Sequence, residues 1–342
     1  MRPRGNLSWI THSSHTGLTI KKRVLQKIYH CPRRIVWTDC ELAELETWVQ
    51  AALFHQRNAP GSKKISPGRP PKNPSGGVGV DVIIGAMNNP NKTLIPQINH
   101  FAEIGFQFLD LTAEWPEATP EILLRKEKAI KDALSTSKMP VVGHTAWFFP
   151  YTHPYESVRR QALEELKRSF DVLARFGVKS ISIHPDVLHF VYKNREQFLS
   201  HFFESIRELE EHAEGLGVAL LFEAYDENSL STEELAELFK KFPKIGFHLD
   251  VGHANLDKPK GARIFEFISL FGKKIAHVHA SDNDGSGDQH LPIGAGKIKW
   301  SEVCSSLKKA GYDGTVTLEV FSQDLEYLEI SKKKFEDLWN NA

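Results

Sequence analysis

The chain from residue 81 to its end predicts an α/β fold, a (β/α)8 TIM barrel, on three observations. Eight short β-like runs alternate with amphipathic helical runs through residues 81–342, the rhythm of a barrel of strand–helix units. No GxGxxG follows the first run, which argues against a doubly wound open sheet. The polar residues of the runs share one strand parity and crowd toward the C-terminal ends, where barrels build their active sites.

The strands fall at 82–86 (VIIGA), 106–114 (FQFLDLTAE), 140–146 (PVVGHTA) and 180–186 (SISIHPD), then at 218–224 (VALLFEA), 245–253 (IGFHLDVGH), 274–282 (KIAHVHASD) and 315–321 (TVTLEVF). Between the third and fourth, YESVRRQALEELKRSFDVLARFG reads as a helix with Val158, Ala162, Leu166, Phe170 and Leu173 as its apolar stripe and Gly177 as its C-cap.

Parity sorts each strand into two faces. Phe247, Leu249 and Val251 oppose His248 and Asp250, and Ile181 and Ile183 oppose Ser180, Ser182 and His184. Val316, Leu318 and Val320 oppose Thr317 and Glu319, while Ala276, Val278 and Ala280 oppose His277, His279 and Ser281. In a barrel the apolar face packs under the helices and the polar face points inward. His144, His184, Glu223, Asp250, His279 and Glu319 then meet at one rim from six strands. Any one of them alone reads as a hydrogen-bonded structural residue. Together they form a shared site, and carboxylates converging there need a cation to offset their repulsion and burial.

Residues 1–80 differ from the rest. They carry 13 Lys/Arg against 4 Asp/Glu, whereas residues 81–342 carry 30 against 39. A short helix, DCELAELETWVQAALFH, is followed by the Pro/Gly/Lys-rich NAPGSKKISPGRPPKNPSGGVG, a linker-like stretch. The expected division is a basic, poorly ordered N-terminal extension at 1–80 and a catalytic barrel at 81–342. An organellar transit peptide has this acid-poor look; a flexible tail or an over-extended reading frame accounts for it better. No apolar run reaches membrane-helix length. The three cysteines, Cys31, Cys40 and Cys304, make no CxxC pair, so a reducing, cytoplasmic setting is the expectation.

HVHASDNDGSGDQHLPIGAGKIKW, residues 277–300, reads as the seventh strand and its loop. Asp282 and Asn283 either touch a ligand or shape the turn. The GAG at 294–296 allows a tight turn or close approach to a substrate.

With IGAMNNP…INHFAEIGFQFLDLTAEWP, FEAYDEN, HLDVGHAN and TLEVF, that stretch makes residues 81–342 resemble the xylose isomerase-like TIM-barrel superfamily. This group includes sugar and sugar phosphate isomerases and epimerases, and AP endonuclease family 2. The resemblance implies one divalent metal (Mn, Co, Mg or Zn) held by Glu223, Asp250, His279 and Glu319. It implies an isomerase or epimerase acting on a sugar or sugar phosphate, by proton transfer through a metal-stabilised enediolate, with Glu223 and Glu319 as catalytic bases. His184 and His253 hold substrate hydroxyls in that reading, and His144 and Trp147 line the pocket. The partner is then a small sugar; no membrane is expected, and homo-oligomer formation is compatible with it.

The same resemblance carries an alternative, an endonuclease IV-like AP endonuclease with three zinc ions. His144, His184 and Glu223 would hold one, and Glu223, Asp250, His279 and Glu319 the second. His253, Asp288 and His290 would hold the third. Nucleic acid is the less favoured substrate because the barrel is net acidic and rim loops such as AEWPEATPE and AYDENSLSTEE are acidic. A barrel that only binds a ligand is a third reading, disfavoured by the intact glutamate pair.

Overall fold

Eight parallel strands, hydrogen-bonded in chain order from the first to the eighth and from the eighth back to the first, close into a barrel. This computed structural model describes residues 82–186, 190–256 and 259–342. The extension at 1–80, its short helix and the domain boundary lie outside the described residues.

The strands are β1 (Ile83–Met87), β2 (Leu109–Ala113), β3 (Val141–Thr145), β4 (Ser180–Ile183), β5 (Ala219–Glu223), β6 (Gly246–Asp250), β7 (Ile275–Ala280) and β8 (Thr315–Leu318). The helices, in chain order, are α1 (Leu94–Ile104), α2 (Pro120–Arg125), α3 (Glu127–Ser137), α4 (Glu156–Ala174) and α5 (Arg195–Leu216). They continue with α6 (Thr232–Lys241), α7 (Val251–Ala254), α8 (Ala262–Phe271), α9 (Trp300–Lys309) and α10 (Glu326–Asn340).

The apolar parity does lie under the helices. Phe222 of β5 meets Phe202 of α5 edge-on at 5.6 Å, and Phe247 of β6 meets Phe267 of α8 at 5.3 Å. All four are fully buried, each worth roughly 1.5–3 kcal/mol in area removed from water. Helix ends are specified locally. Ser231 and Glu234 form a capping box at the start of α6, and Gly217, at φ 71°, closes α5.

Three sequence expectations are adjusted. Seven of the eight strands are shorter than their apolar runs, because the flanking residues turn into loops, and the first keeps its length but shifts by one residue to Ile83–Met87. The run 245–253 stops at Asp250, whose side chain accepts from the backbone N–H of His253 at 2.7 Å and so nucleates the short α7. Helix α4 ends at Ala174, and Gly177, at φ 79°, sits three residues beyond it and ends the closing turn rather than capping the helix. Val158 is also only half-buried, while Arg159 beside it is buried.

One irregularity positions the site. Between β6 and β7 the register shifts after Phe247↔Ile275, so that His248 pairs with His277 and Asp250 with His279. Ala276 is the extra residue of this bulge. The shift sets the polar side chains of two adjacent strands side by side at two successive levels.

Candidate metal centre at the C-terminal rim

The inward parity builds two layers. In the lower one, Asp110 of β2 is fully buried, and its Oδ2 accepts from three groups. These are His277 Nε2 at 3.0 Å, His279 Nε2 at 2.9 Å and Thr317 Oγ1 at 2.8 Å. His277 Nδ1 pairs with Thr315 Oγ1 at 2.6 Å, and His248 Nδ1 with Ser182 Oγ at 2.9 Å.

The upper layer centres on Glu223, at the end of β5. Its Oε2 lies 2.9 Å from His144 Nε2, 3.3 Å from His184 Nε2 and 3.2 Å from His248 Nδ1. Its Oε1 lies 3.1 Å from His253 Nδ1 but out of line for a hydrogen bond. One pleat above Asp110, His279 Nδ1 faces Glu319 Oε2 at 3.0 Å and Asp250 Oδ2 at 3.7 Å. Glu319 follows β8 and extends the ladder by one bond, its N–H donating to Ala280 O at 3.2 Å.

A third group adjoins these. Asp288 Oδ2 lies 3.2 Å from His253 Nε2 and 3.0 Å from His290 Nε2. The structure therefore brings together His144, His184, Glu223, Asp250, His253, His279, Asp288, His290 and Glu319. Trp147, two residues past the end of β3, is 39% exposed and packs edge-on against Phe148 at 5.7 Å.

Asp282 and Asn283 prove to shape the loop. Asp282 Oδ1 accepts from Asn283 N and Ile298 N, and Oδ2 from Gly294 N and Trp300 Nε1, at 2.8–3.2 Å. Asn283 donates to Gly252 O at 2.9 Å and accepts from Asn255 Nδ2 at 2.8 Å, tying the loop to α7 and its His253. Both glycines of the GAG matter: Gly294 adopts a left-handed φ of 78°, and Gly296 is crowded. A Cβ there would lie 2.3 Å from Asp282 Oδ1 and 2.4 Å from Asn283 O.

Electrostatics follow from this crowding. Burial pushes the Glu223 carboxyl up, but the charges and hydrogen bonds of His184, His248 and His144 hold it well below the usual range. Asp110 behaves alike: burial raises it, and His277 and His279 pull it well down. Burial, together with the charges of Glu223 and Glu319, raises Asp250 to about 7 against the pull of His253. Burial opposes protonation of His279 and His253, yet Glu319 and Asp110 in the first case, Asp250 and Asp288 in the second, raise both well above the imidazole norm. His290 rises to about 9 against the effect of burial, through Glu319 and Asp288.

Protons thus fill a place that suits a cation. With its Nε2 hydrogen-bonded to Asp110, His279 turns Nδ1 to two carboxylates. Asp250 Oδ2 and Glu223 Oε1 are buried without a hydrogen-bond partner, a costly arrangement unless a positive ion completes it. Glu223, Asp250 and His279 can present one ligand atom each within 4.8 Å of one another, and so can His144, His184 and Glu223. The donor set fits a divalent metal.

Four buried or partly buried groups here escaped the sequence reading as site residues: Asp110, Glu114, His248 and His277. His248 and His277 fall on the inward parity but one level deeper. Asp110 and Glu114 carry the same signal, alternating with Leu109, Leu111 and Ala113 in FQFLDLTAE. Burial, reinforced by the charge of Glu319, raises the Glu114 carboxyl to about 7.

Fold and site define a TIM barrel with a carboxylate–imidazole cluster at its C-terminal rim. Residues 98–338 match the family described as xylose isomerase-like TIM barrel, and the chain belongs to that family. An uncharacterised protein of Methanocaldococcus jannaschii, MJ1311, is 31% identical over 195 residues, 52% of this chain and 66% of its own length. The chain thus spans just under two thirds of that relative. Fructoselysine 3-epimerase of Escherichia coli O157:H7 is 25% identical over 235 residues, 64% of this chain and 82% of that protein. Among solved structures, a D-tagatose 3-epimerase-like protein superposes with a TM-score of 0.66 at 24% identity, covering 76% of this chain and 99% of that one. The chain is related to sugar epimerases. No helix among the described residues is long and apolar enough to cross a membrane.

Proposed function

We propose that the protein is a divalent-metal-dependent isomerase or epimerase of a sugar or sugar phosphate, with Glu223 and Glu319 as the proton-transferring pair. The observation that carries this reading is the pairing at the rim. Glu223 ends β5 and Glu319 directly follows β8, three strands apart on an eight-strand ring, with Asp250 and His279 between them. Glu223, Asp250, His279 and Glu319 would hold the metal, which supplies Lewis-acid polarisation of an α-hydroxycarbonyl.

The chain's own residues then divide the work. Three imidazoles surround Glu223 Oε2 and hold the carboxylate that takes or returns a proton at carbon. Glu319, 9% exposed, reaches the site from the far side and handles the second proton. His253 and His184 are placed to hold hydroxyls. Asp288 fixes His253 by accepting from Nε2.

One observation favours a second reading. His253, Asp288 and His290 converge beside the first two clusters, as a three-zinc AP endonuclease would need. Elemental mass spectrometry on the purified chain separates the two. About one metal per chain, with solvent deuterium entering a ketose at carbon, supports the sugar enzyme. Nearly three zinc ions and cleavage of abasic-site DNA support the other. Failure to take up any metal overturns both.

A further inference from the structure

We infer that Asp110 is the positioning residue of the centre: it fixes the tautomer of His279 and thereby sets which imidazole nitrogen meets the metal. The inference rests on the metal reading above. His279 has two nitrogens and a carboxylate on each side, Asp110 Oδ2 at 2.9 Å from Nε2 and Glu319 Oε2 at 3.0 Å from Nδ1. With a metal in place of the second proton the ring would be neutral and carry one proton, for which the two carboxylates compete.

The floor decides the competition. Asp110 is fully buried, and its Oδ2 also accepts from Thr317 and His277, so it is a fixed acceptor with no water to turn toward. The chain of bonds is consistent throughout. Thr315 Oγ1 donates to His277 Nδ1, and His277 Nε2 then donates to Asp110. Glu319, by contrast, follows the end of its strand, is 9% exposed, and shares its oxygen with His290 at 3.7 Å. Asp110 therefore holds the Nε2 proton, and Nδ1 presents its lone pair between Glu319 and Asp250. A carboxylate behind a ligating imidazole also raises its basicity. The rim carboxylates beside His279, Glu319 and Asp250, both lie on its Nδ1 side.

The test is metal affinity and ring protonation rather than turnover. Asp110→Asn keeps an acceptor oxygen but removes its charge. The expected result is a roughly 10–100-fold weaker Mn²⁺ Kd by calorimetry, in a protein that still melts cooperatively. A purely structural role would lower the Tm and leave the Kd of the folded protein within about twofold, and that outcome overturns the inference. Should the variant not fold, ¹⁵N-histidine NMR of the zinc-loaded wild type reads the tautomer directly. A proton on Nε2 with Nδ1 shifted by metal is expected; a proton on Nδ1 overturns it. If the wild type takes up no metal, the functional reading fails instead. The same spectrum of the metal-free protein at alkaline pH then still decides where the His279 proton sits.

Discussion

Asp282 Oδ2 accepts the indole N–H of Trp300 at 3.0 Å, and this bond stitches the loop after β7 to the first turn of α9. Three backbone N–H groups converge on the same carboxylate. The loop that carries Asp288 and His290 is therefore wound around one buried ion. Asp282→Ala leaves four donors unanswered and is expected to cost roughly 3–5 kcal/mol, whereas Trp300→Phe removes one bond and costs roughly 1.5–3 kcal/mol. Chemical denaturation of both variants checks the order, and equal costs would sink the account.

Gly296→Ala attacks the same knot from the backbone. The new methyl would sit 2.4 Å from the carbonyl oxygen of Asn283, and a backbone atom cannot swing aside as a side-chain end can. Asn283 also holds α7, so the strain passes to His253. The variant should lose stability and at least tenfold in kcat/KM together; wild-type kinetics would show that the loop tolerates the displacement.

Glu319→Gln and Glu223→Gln should each lower epimerisation by roughly 10²–10⁴-fold, the usual worth of a positioned proton-transfer group. Solvent deuterium incorporation into the ketose separates lost chemistry from lost binding. Substantial exchange in either variant would remove that residue from the proton-transfer pair.

Removal of the metal has a thermal signature. An ion bound at a thousand times its Kd stabilises the native state by about 4 kcal/mol, on the order of 10 °C in a barrel of this size. Dialysis against chelator should lower the Tm by that much, and Mn²⁺ should restore it. A Tm indifferent to chelator would count against a resident ion.

Glu114 predicts a pH slope in the chelated protein. Burial raises its carboxyl from 4.5 to about 7. Between those values the folded chain holds a proton that the unfolded chain has released, so stability falls as pH rises through this window and levels off above it. Glu114→Gln should lessen that slope, to which Asp250 also contributes, and raise the Tm at pH 8 more than at pH 5. An identical change in Tm at both pH values would mean that the carboxyl titrates normally.

The eight-unit barrel and the rim were legible because each rests on local pattern. Alternation puts Phe247 and Leu249 outward and His248 and Asp250 inward whatever the neighbouring strands do, since the pleat has a period of two. Closure then collects strand ends at one rim, so His144, His184, Glu223, Asp250, His279 and Glu319 could be nominated together. Residues past a strand end, such as Trp147, follow no such period.

Only the tertiary structure could decide how the nominated groups divide their bonds. The bulge at Ala276 pairs His248 with His277 and Asp250 with His279, and a one-residue slip of this kind leaves no mark in composition or alternation. Asp110 meets His279 across 169 positions of chain, a contact set by barrel closure and strand stagger. Which oxygen of Glu223 stays without a hydrogen bond follows from that closure. Sequence chose the polar residue types and their face; the geometry of packing assigned each atom its partner.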